Sequence, residues 1–219
     1  MATILITGAN RGIGLELVRQ LAARGDTVIA ACRTASSELT ATGAEIIEGL
    51  DVTSDDSVAT LADRLEGRTL DWLVNNAGIL ERTALDRLDF AAMERQFRVN
   101  ALGPLRVTAA LRGRLAKGSK VFIVTSRMGS IEDNTSGGSY GYRMSKAAVN
   151  MAGKSLAVDL ADEGVGVFLL HPGWVATDMT GDTGIAVEDS AAGLIATMER
   201  LGADQTGTFW HQEGYELPW

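Results

Sequence analysis

Short apolar runs alternate with longer amphipathic stretches along the chain, and this alternation limits the possible folds more than any other feature of the sequence. Continuous apolar runs are typical of strands that are covered on both faces, as in a parallel sheet. The pattern therefore predicts an α/β fold: a doubly wound, mostly parallel, seven-stranded sheet flanked by helices. The runs predicted as strands are Thr3–Thr7, Thr27–Cys32, 45–50, Leu70–Asn75, 120–126, 165–171 and 207–210.

Composition narrows the class of protein further. No linker or repeat divides the 219 residues, so residues 1–219 are predicted to form a single domain. The formal net charge of −8 opposes binding to nucleic acid or to an anionic membrane. Cys32 is the only cysteine and no stretch resembles a signal peptide or a membrane span, so we expect a cytoplasmic location. Two histidines and one cysteine give no metal-ligand cluster.

A glycine-rich turn follows the first predicted strand. Its spacing, G-x-x-x-G-x-G, differs from the dinucleotide fingerprint G-x-G-x-x-G, and such a turn also occurs without a ligand. Its position before a predicted helix favours nucleotide binding, because glycines let the backbone approach a pyrophosphate at a helix N-terminus. The candidate cofactor-binding residues of this turn are Gly8, Asn10, Arg11, Gly12, Ile13 and Gly14.

The end of the second predicted strand indicates which dinucleotide is bound. Proteins that bind NAD usually place an acidic residue there, whereas an arginine accommodates the 2′-phosphate of NADP. This strand ends in Cys32 and Arg33 with no carboxylate. Arg33 and Arg11 could clamp a phosphate, although single arginines are more often solvated surface charges. We therefore expect NADP(H) in preference to NAD(H).

Two further predicted strands end in residues that suit a cofactor. Asp51 and Val52 follow the third strand, and Asp51 could accept a hydrogen bond from an adenine amino group. Asn76, Ala77 and Gly78 follow the fourth, where small residues would let a flat cofactor lie close to the backbone. Each segment alone would also suit an ordinary turn.

A pair of residues suited to proton transfer begins a predicted helix. Tyr142 and Lys146 are four residues apart and so share a helix face. A free tyrosine has a pKa of about 10, and a nearby cation lowers it by about 1–3 units, which gives a usable general acid. A tyrosine and a lysine at this spacing also occur on surface helices without a function, but residues 129–141, just before this pair, are predicted to form a long loop. Ser126, with Thr125 and Ser130 as alternatives, could polarise a substrate carbonyl.

Together these motifs resemble the short-chain dehydrogenase/reductase family, and they extend in order over nearly the whole chain. Residues 139–151 and the ending Phe209-Trp210…Leu217-Pro218-Trp219 are most similar to the subgroup of sniffer-type carbonyl reductases and C-factor-like bacterial proteins. The motifs are Gly8, Gly12, Gly14, Asp51, Asn75-Asn76-Ala77-Gly78, Asn100, Ser126, Tyr142, Lys146 and Pro172-Gly173.

The resemblance implies a Rossmann-type domain that reduces a ketone or aldehyde, or oxidises the matching alcohol, with NADP(H). Tyr142 would donate the proton, Lys146 would lower its pKa and hold the nicotinamide ribose, and Ser126 would orient the substrate. Asn100 would keep a water in a proton relay. Pro172, Gly173 and Val175 would cradle the nicotinamide, with Thr177 at its carboxamide. It also implies a dimer or tetramer, through helices predicted near residues 101–115 and 144–162.

The sequence differs from the family pattern in two segments near the predicted site, and two other functions are considered beside the enzyme. The interval from Ser126 to Tyr142 is 16 residues, so residues 131–138 are expected to reshape one wall of the substrate pocket. The irregular segment 172–187 is short, which predicts a small lid and an open site. A non-catalytic NADP(H) sensor or signalling protein of the C-factor type is the alternative. A methyltransferase fits less well, since it has no use for Tyr142 and Lys146.

Overall fold

The computed structural model describes residues 1–181 and 183–219, and its strands form one seven-stranded sheet. The order is β3-β2-β1-β4-β5-β6-β7, and every neighbouring pair runs parallel. This confirms the predicted doubly wound fold, with a sheet that is wholly parallel. The strands are β1 (Thr3–Thr7), β2 (Thr27–Cys32), β3 (Glu45–Glu48), β4 (Leu70–Asn75), β5 (Leu115–Val124), β6 (Gly166–His171) and β7 (Thr208–His211).

Helices cover both faces of the sheet. Short 3₁₀ turns occur at Arg112–Arg114, Arg127–Gly129, Ala161–Glu163 and Ala203–Gln205, and a π-helical segment, Arg98–Leu102, joins two α-helices. Among the described residues, none of the helices combines the length and the apolar character that crossing a bilayer requires. The α-helices are α1 (Gly12–Ala23), α2 (Ser37–Thr40), α3 (Asp55–Arg64), α4 (Phe90–Phe97), α5 (Gly103–Leu111), α6 (Tyr140–Asp159) and α7 (Val187–Arg200).

Two apolar layers explain the continuous apolar runs. In β1, Ile4 and Ile6 belong to a buried cluster that includes residues of α1 and α7. Leu5, which points to the opposite face, belongs to a cluster that includes residues of α3, α5 and α6. Because both faces of the strand are covered, no polar position interrupts it.

The structure corrects several predicted boundaries. The predicted strand 120–126 begins earlier, at Leu115, and ends at Val124, so Ser126 lies beyond the strand rather than at its end. The predicted strand 45–50 ends at Glu48, 165–171 begins at Gly166, and 207–210 is shifted to Thr208–His211. The predicted helix 144–162 begins at Tyr140, before Tyr142, and ends at Asp159. The predicted helix 101–115 is the end of a longer helical run that begins with α4 at Phe90. Asp89 caps the start of this run, because its side chain accepts a hydrogen bond from the amide of Ala92.

Candidate functional site

A cleft of about 460 Å³ opens at the carboxyl edge of the sheet, where the strand order reverses between β1 and β4. Ligands of doubly wound folds bind at this position. The cleft joins the glycine turn and Arg33 to Tyr142 and Lys146, so it contains both ends of the predicted site. It is lined by Gly8, Asn10, Arg11, Gly12, Ile13, Gly14, Cys32, Arg33, Leu50, Asp51, Val52, Asn76, Ala77, Gly78, Ile79, Val99, Val124, Thr125, Tyr142, Lys146, Pro172, Ala176, Thr177, Asp178, Met179 and Val187.

The glycine turn is packed too closely for side chains at two of its glycines. Gly8 has a φ of +66°, and a Cβ there would lie 2.7 Å from Cα of Ala77. A Cβ on Gly14 would overlap the main-chain oxygen of Gly8 and lie 2.5 Å from Nδ2 of Asn76. The turn therefore brings the start of α1 against the end of β4 and leaves bare backbone facing the cleft.

The side chain of Asn76 stabilises the glycine turn by hydrogen bonds to main-chain oxygens at its start. Its Nδ2 donates to the main-chain oxygens of Thr7 and Gly8, each 3.1 Å away. In return, Oγ1 of Thr7 accepts from the amides of Asn76 and Ala77, also at 3.1 Å. Asn76 lines the cleft as predicted, but both bonds of its amide nitrogen are made inside the protein.

Charged side chains surround the end of the cleft that was predicted to bind a 2′-phosphate. Arg33 lines the cleft beside Cys32. Arg11 is 3.0 Å from the carboxylate of Asp178, and both side chains are largely exposed. Hydrogen bonds from the amide and hydroxyl of Thr53 lower the pKa of Asp51, with a smaller contribution from Arg33. Asp51 is therefore an anion and a ready acceptor at neutral pH.

Tyr142 and Lys146 meet at the other end of the cleft, both buried. Nζ of Lys146 lies 5.6 Å from the centre of the Tyr142 ring and donates to the main-chain oxygen of Val124 at 2.9 Å. Burial lowers the pKa of Lys146 to about 8. Burial raises the pKa of Tyr142 to about 12, opposed by a hydrogen bond with Ser126. The predicted lowering by Lys146 is not observed, because desolvation dominates and Nζ is bonded to Val124.

The structure separates the three candidate hydroxyl groups. Oγ1 of Thr125 donates to Oδ1 of Asn150 at 2.7 Å, away from the phenol. Oγ of Ser130 donates to the main-chain oxygen of Trp219 at 3.1 Å. Of the three, only the Ser126 hydroxyl lies near enough to the phenol to lower the pKa of Tyr142. The geometry therefore favours Ser126 among the three, although its side chain is not part of the cleft lining.

Asn100 lies in the π-helical segment and is buried. Its Oδ1 accepts from the amide of Ile79 at 2.8 Å, and its Nδ2 donates to the oxygen of Ile79 at 2.9 Å and to Oγ of Ser145 at 3.0 Å. π-Helical turns inside α-helices often occur at functional sites. Asn100 thus connects the segment after β4 to α6, and its role in holding a water stays a prediction.

Only part of the predicted nicotinamide cradle faces the cleft. Pro172 and Thr177 line it, whereas Gly173 and Val175 do not. Gly173 has a φ of +87°, and a Cβ there would lie 3.2 Å from Cδ1 of Ile185. Val175 is buried and bridges to Ile185. These two residues shape the segment after β6 without lining the cleft.

Sequence reasoning missed residues that position the predicted ones. A Cβ on Gly129 would lie 2.7 Å from the carbonyl carbon of Lys146, so this glycine lets the 3₁₀ turn rest directly on α6. A Cβ on Gly141 would lie 2.7 Å from Nε2 of Gln96, which allows α6 to contact α4. Both glycines stand in the predicted loop 129–141, where a glycine is usually a sign of turn geometry rather than of close packing. Only the positions of their partners in space reveal the role.

Sequence comparison places this architecture among known proteins. The profile of the family described as short chain dehydrogenase matches residues 2–187. The 1-hydroxy-2-glutathionyl-2-methyl-3-butene dehydrogenase of Rhodococcus sp. (strain AD45) is 46% identical over 226 residues, which cover 100% of each chain. The C-signal protein of Myxococcus xanthus is 49% identical over 154 residues, 68% of this chain and 93% of the relative.

Solved structures match the fold along the full chain. The carbonyl reductase Sniffer of D. melanogaster superposes with a TM-score of 0.93 at 31% identity and full coverage of both chains. The NADPH-bound carbonyl reductase from chicken fatty liver superposes with a TM-score of 0.91 at 29% identity, covering 100% of this chain and 99% of that one.

Proposed function

Because the chain belongs to the short chain dehydrogenase family of oxidoreductases, we propose that it reduces a ketone or aldehyde with NADPH, or oxidises the matching alcohol with NADP⁺. The observation that carries this proposal is the meeting of Tyr142 and Lys146 at one end of a cleft whose other end is formed by Arg33, with the Ser126 hydroxyl near the phenol but outside the cleft lining. A phenol, an ammonium and a hydroxyl in this arrangement can polarise and protonate a carbonyl oxygen.

The cleft fits an elongated dinucleotide. The bare glycine backbone of the turn suits a pyrophosphate at the start of α1. Arg33 and Arg11 would hold a 2′-phosphate, and the ionised Asp51 would accept from an adenine amino group. Pro172 and Thr177 would contact the nicotinamide end. Bound there, NADP(H) supplies or accepts the hydride. NADP(H) in a similar carbonyl reductase supports this choice over NAD(H).

The protonation states favour reduction. With a pKa of about 12, Tyr142 keeps its proton at neutral pH and can give it to a carbonyl oxygen. Lys146, with a pKa of about 8, is mostly charged at neutral pH and is held by Val124 near the Tyr142 ring. Its charge would stabilise the phenolate that remains after proton transfer. The Ser126 hydroxyl lies near the phenol, where it lowers the pKa of Tyr142, and would hold the carbonyl oxygen beside it.

We propose that the substrate carries a bulky polar group. The relative at 46% identity is named as a dehydrogenase of 1-hydroxy-2-glutathionyl-2-methyl-3-butene, an alcohol with a glutathionyl substituent. In this chain the guanidinium of Arg82 lies 5.6 Å from the ring centre of Trp174, which is half exposed. Arg82 follows β4 and Trp174 follows β6, so the pair joins two segments that each contribute residues to the cleft lining. We propose that this pair contacts the part of the substrate that stays outside the cleft.

A signalling role is the second candidate, and the similarity to C-signal favours it. Binding of NADP(H) alone would be enough for a sensor. A proton donor in contact with a hydroxyl and an ammonium has no use in such a protein, so the site geometry supports the enzyme in preference.

The deciding experiment measures cofactor binding and turnover separately. NADPH and NADH are titrated by fluorescence, and NADPH oxidation is then followed with ketones and aldehydes, including carbonyl compounds that carry a glutathionyl group. Tyr142→Phe is expected to reduce turnover by about 100- to 10,000-fold while leaving NADPH affinity unchanged. Tyr140→Phe, at the first residue of the same helix, is the control and should retain activity.

Each outcome separates the candidates. Turnover at the wild-type rate in Tyr142→Phe would contradict the proposed proton donor. Tight NADPH binding with no turnover of any carbonyl would favour the signalling protein. No binding of either nucleotide would contradict both.

We propose that the enzyme is a homo-oligomer, either a dimer or a tetramer. Exposed apolar side chains lie on the long helices, Phe97 on α4 and Met144, Met151 and Val158 on α6. A second copy would cover them, since soluble monomers rarely expose large apolar patches. Light scattering of the purified protein gives the mass, and Met151→Glu should shift it towards the monomer. A monomeric wild-type protein would contradict the proposal.

We also propose that residues 1–219 act as one domain and that the protein is cytoplasmic. All strands lie in one sheet, and the only cysteine, Cys32, is a buried free thiol, which suits a reducing compartment. A single unfolding transition and recovery of the protein in the cytosolic fraction would be expected.

A further inference from the structure

One main-chain oxygen, that of Trp219, collects hydrogen bonds from the loop that follows β5. It accepts from the amide of Ile131 at 3.0 Å, from the amide of Glu132 at 2.9 Å and from Oγ of Ser130 at 3.1 Å. These donors are 87 to 89 residues away in the chain. A main-chain oxygen has two lone pairs, so three donors must share them and leave none for another partner.

The oxygen is fixed because the segment before it is fixed. The amide of Leu217 donates to the main-chain oxygen of Phe209 in β7 at 2.7 Å, and Leu217 is buried. The ring of Trp219 stacks on that of Phe209, with centroids 5.9 Å apart and planes at 29°. The last residues of the chain are therefore attached to the edge of the sheet and present the Trp219 oxygen to the loop.

Ser130, the first of the residues that donate to the Trp219 oxygen, belongs to a turn that begins at Ser126. The amide of Gly129 donates to the main-chain oxygen of Ser126 at 2.8 Å, and the amide of Met128 donates to its Oγ at 3.2 Å. The amide of Ser130 donates to the oxygen of Arg127 at 3.0 Å. Residues 126–130 thus form one tight turn, and a movement at Ser130 would move the Ser126 hydroxyl.

The other side of this turn rests on the helix that carries the proton donor. Gly129 approaches Lys146 so closely that a Cβ on the glycine would lie 2.7 Å from the lysine carbonyl carbon. The turn is therefore held between α6 on one side and Trp219 on the other. Neither contact alone sets the position of Ser126, because the turn could tilt about Gly129 if the Trp219 oxygen were absent.

We propose that Ser130 and Trp219 are positioning residues, which hold the Ser126 hydroxyl against the phenol of Tyr142. This inference rests on the proposed function, because it assigns these residues to the same reaction. They act through Ser126 and touch neither the cleft nor the reacting groups. Their loss should lower the turnover number and leave NADPH affinity unchanged.

The experiment compares paired variants of the full chain. Ser130→Ala removes one donor, and Ser130→Thr retains the hydroxyl. Trp219→Ala removes the ring that stacks on Phe209, and Trp219→Phe retains an aromatic ring there. Both alanine variants should lower kcat by about 10- to 100-fold, as expected for a catalytic group displaced by about 1 Å, and the conservative variants should restore most of it. NADPH affinity should change little in all four variants. The midpoint of thermal unfolding should change little in Ser130→Ala and should fall in Trp219→Ala, which loses the ring stacked on Phe209.

A Ser126→Ala background tests whether the effect passes through Ser126. In that background, Ser130→Ala should cause no further loss of kcat, because there is no hydroxyl left to position. An equal loss in both backgrounds would overturn the inference, and so would an unchanged kcat in Ser130→Ala and Trp219→Ala.

Hydrogen exchange of the Met128 and Gly129 amides provides a readout that needs no turnover. Exchange should become faster in both alanine variants, and unchanged exchange would overturn the inference. A wild-type protein that turns over no carbonyl would count against the proposed function instead, and hydrogen exchange alone would then decide whether Trp219 holds the turn.

Discussion

The side chain of Asn100 pairs with both main-chain polar groups of a single residue, Ile79. The Asn100 side chain accepts from the Ile79 amide at 2.8 Å and donates to the Ile79 oxygen at 2.9 Å. A buried backbone segment needs such partners wherever no neighbouring strand supplies them. The pairing extends the order of β4 into the segment that lines the centre of the cleft.

Replacing Asn100 by Leu should therefore destabilise the protein. Leucine keeps the approximate volume of the asparagine side chain but leaves the amide and the oxygen of Ile79 without their partner. Each unpaired buried group costs about 1–3 kcal/mol, so we expect a loss of about 2–6 kcal/mol in the free energy of unfolding. Urea denaturation measures it. Ser145→Ala, which removes only one bond of Asn100, is the control and should cost less. Equal losses in the two variants would contradict the importance of the Ile79 pairing.

Gly14→Ala should weaken NADPH binding. The new Cβ would meet the oxygen of Gly8 and Nδ2 of Asn76, so the turn would have to open. Overpacking of this kind costs about 1–3 kcal/mol, and the displaced backbone would bind a pyrophosphate less well. Gly113→Ala is the matched control, because nothing lies within 4 Å of a Cβ there. NADPH titration and thermal unfolding are the measurements. Wild-type affinity in Gly14→Ala would show that the turn tolerates a side chain.

Arg33→Asp should change the preference between the two cofactors. An arginine hydrogen bond to phosphate contributes about 1.5–3 kcal/mol, so NADPH affinity should fall by about 10- to 100-fold. NADH affinity should rise or stay the same, because a carboxylate suits a ribose hydroxyl. Arg64→Asp, on the exposed end of α3, makes the same change in net charge away from the cleft. An unchanged ratio of the two affinities in Arg33→Asp would contradict the phosphate clamp.

The buried ammonium of Lys146 should make stability depend on pH in a particular window. Its pKa is about 8 in the folded protein and 10.5 in the unfolded chain. Between these values the unfolded chain binds more protons, so the free energy of unfolding rises with pH. Across this window, the free energy of unfolding of the wild-type protein should rise by about 3 kcal/mol relative to that of Lys146→Met, because each unit of pKa corresponds to about 1.4 kcal/mol. Below pH 8 and above pH 10.5 the difference between the two proteins should be constant.

Urea denaturation of both proteins across this range provides the measurement. Tyr142 also titrates at high pH, but it is present in both proteins, so its contribution largely cancels in the difference. A difference that did not change with pH would contradict the burial of a charged Lys146.

The sequence predicts best what is local. The bounds of β1, β2 and β4 follow from continuous apolar runs, and the glycine turn follows from its spacing and position. The start of β5 at Leu115 is different, because residues 115–119 do not form a continuous apolar run, and of these only Leu115 pairs with β4, across a register shift. Tertiary pairing decides this boundary, and no local propensity indicates it.

The sequence predicts which residues form the candidate site but not the contacts among them. Tyr142 and Lys146 share a helix face, so their proximity follows from spacing. The desolvation that raises the pKa of Tyr142 depends on how deeply the cleft buries it, which no spacing encodes. The contact between Ser130 and Trp219 joins residues 89 positions apart, and only the folded chain brings them together.

The π-helical segment Arg98–Leu102, which joins α4 to α5, limits changes in the length of this helical run. One turn of Arg98–Leu102 holds an extra residue, so the helix before it and α5 after it are out of phase with a continuous α-helix. Deleting one residue there would restore α-helical bonding and rotate one half against the other by about 100°. Either Asn100 would turn away from Ile79, or Gly103 would lose its close fit against Val52. An insertion or deletion within this segment would therefore break one of these two contacts, so the length of the helix, as well as its residues, sets the geometry of the candidate site.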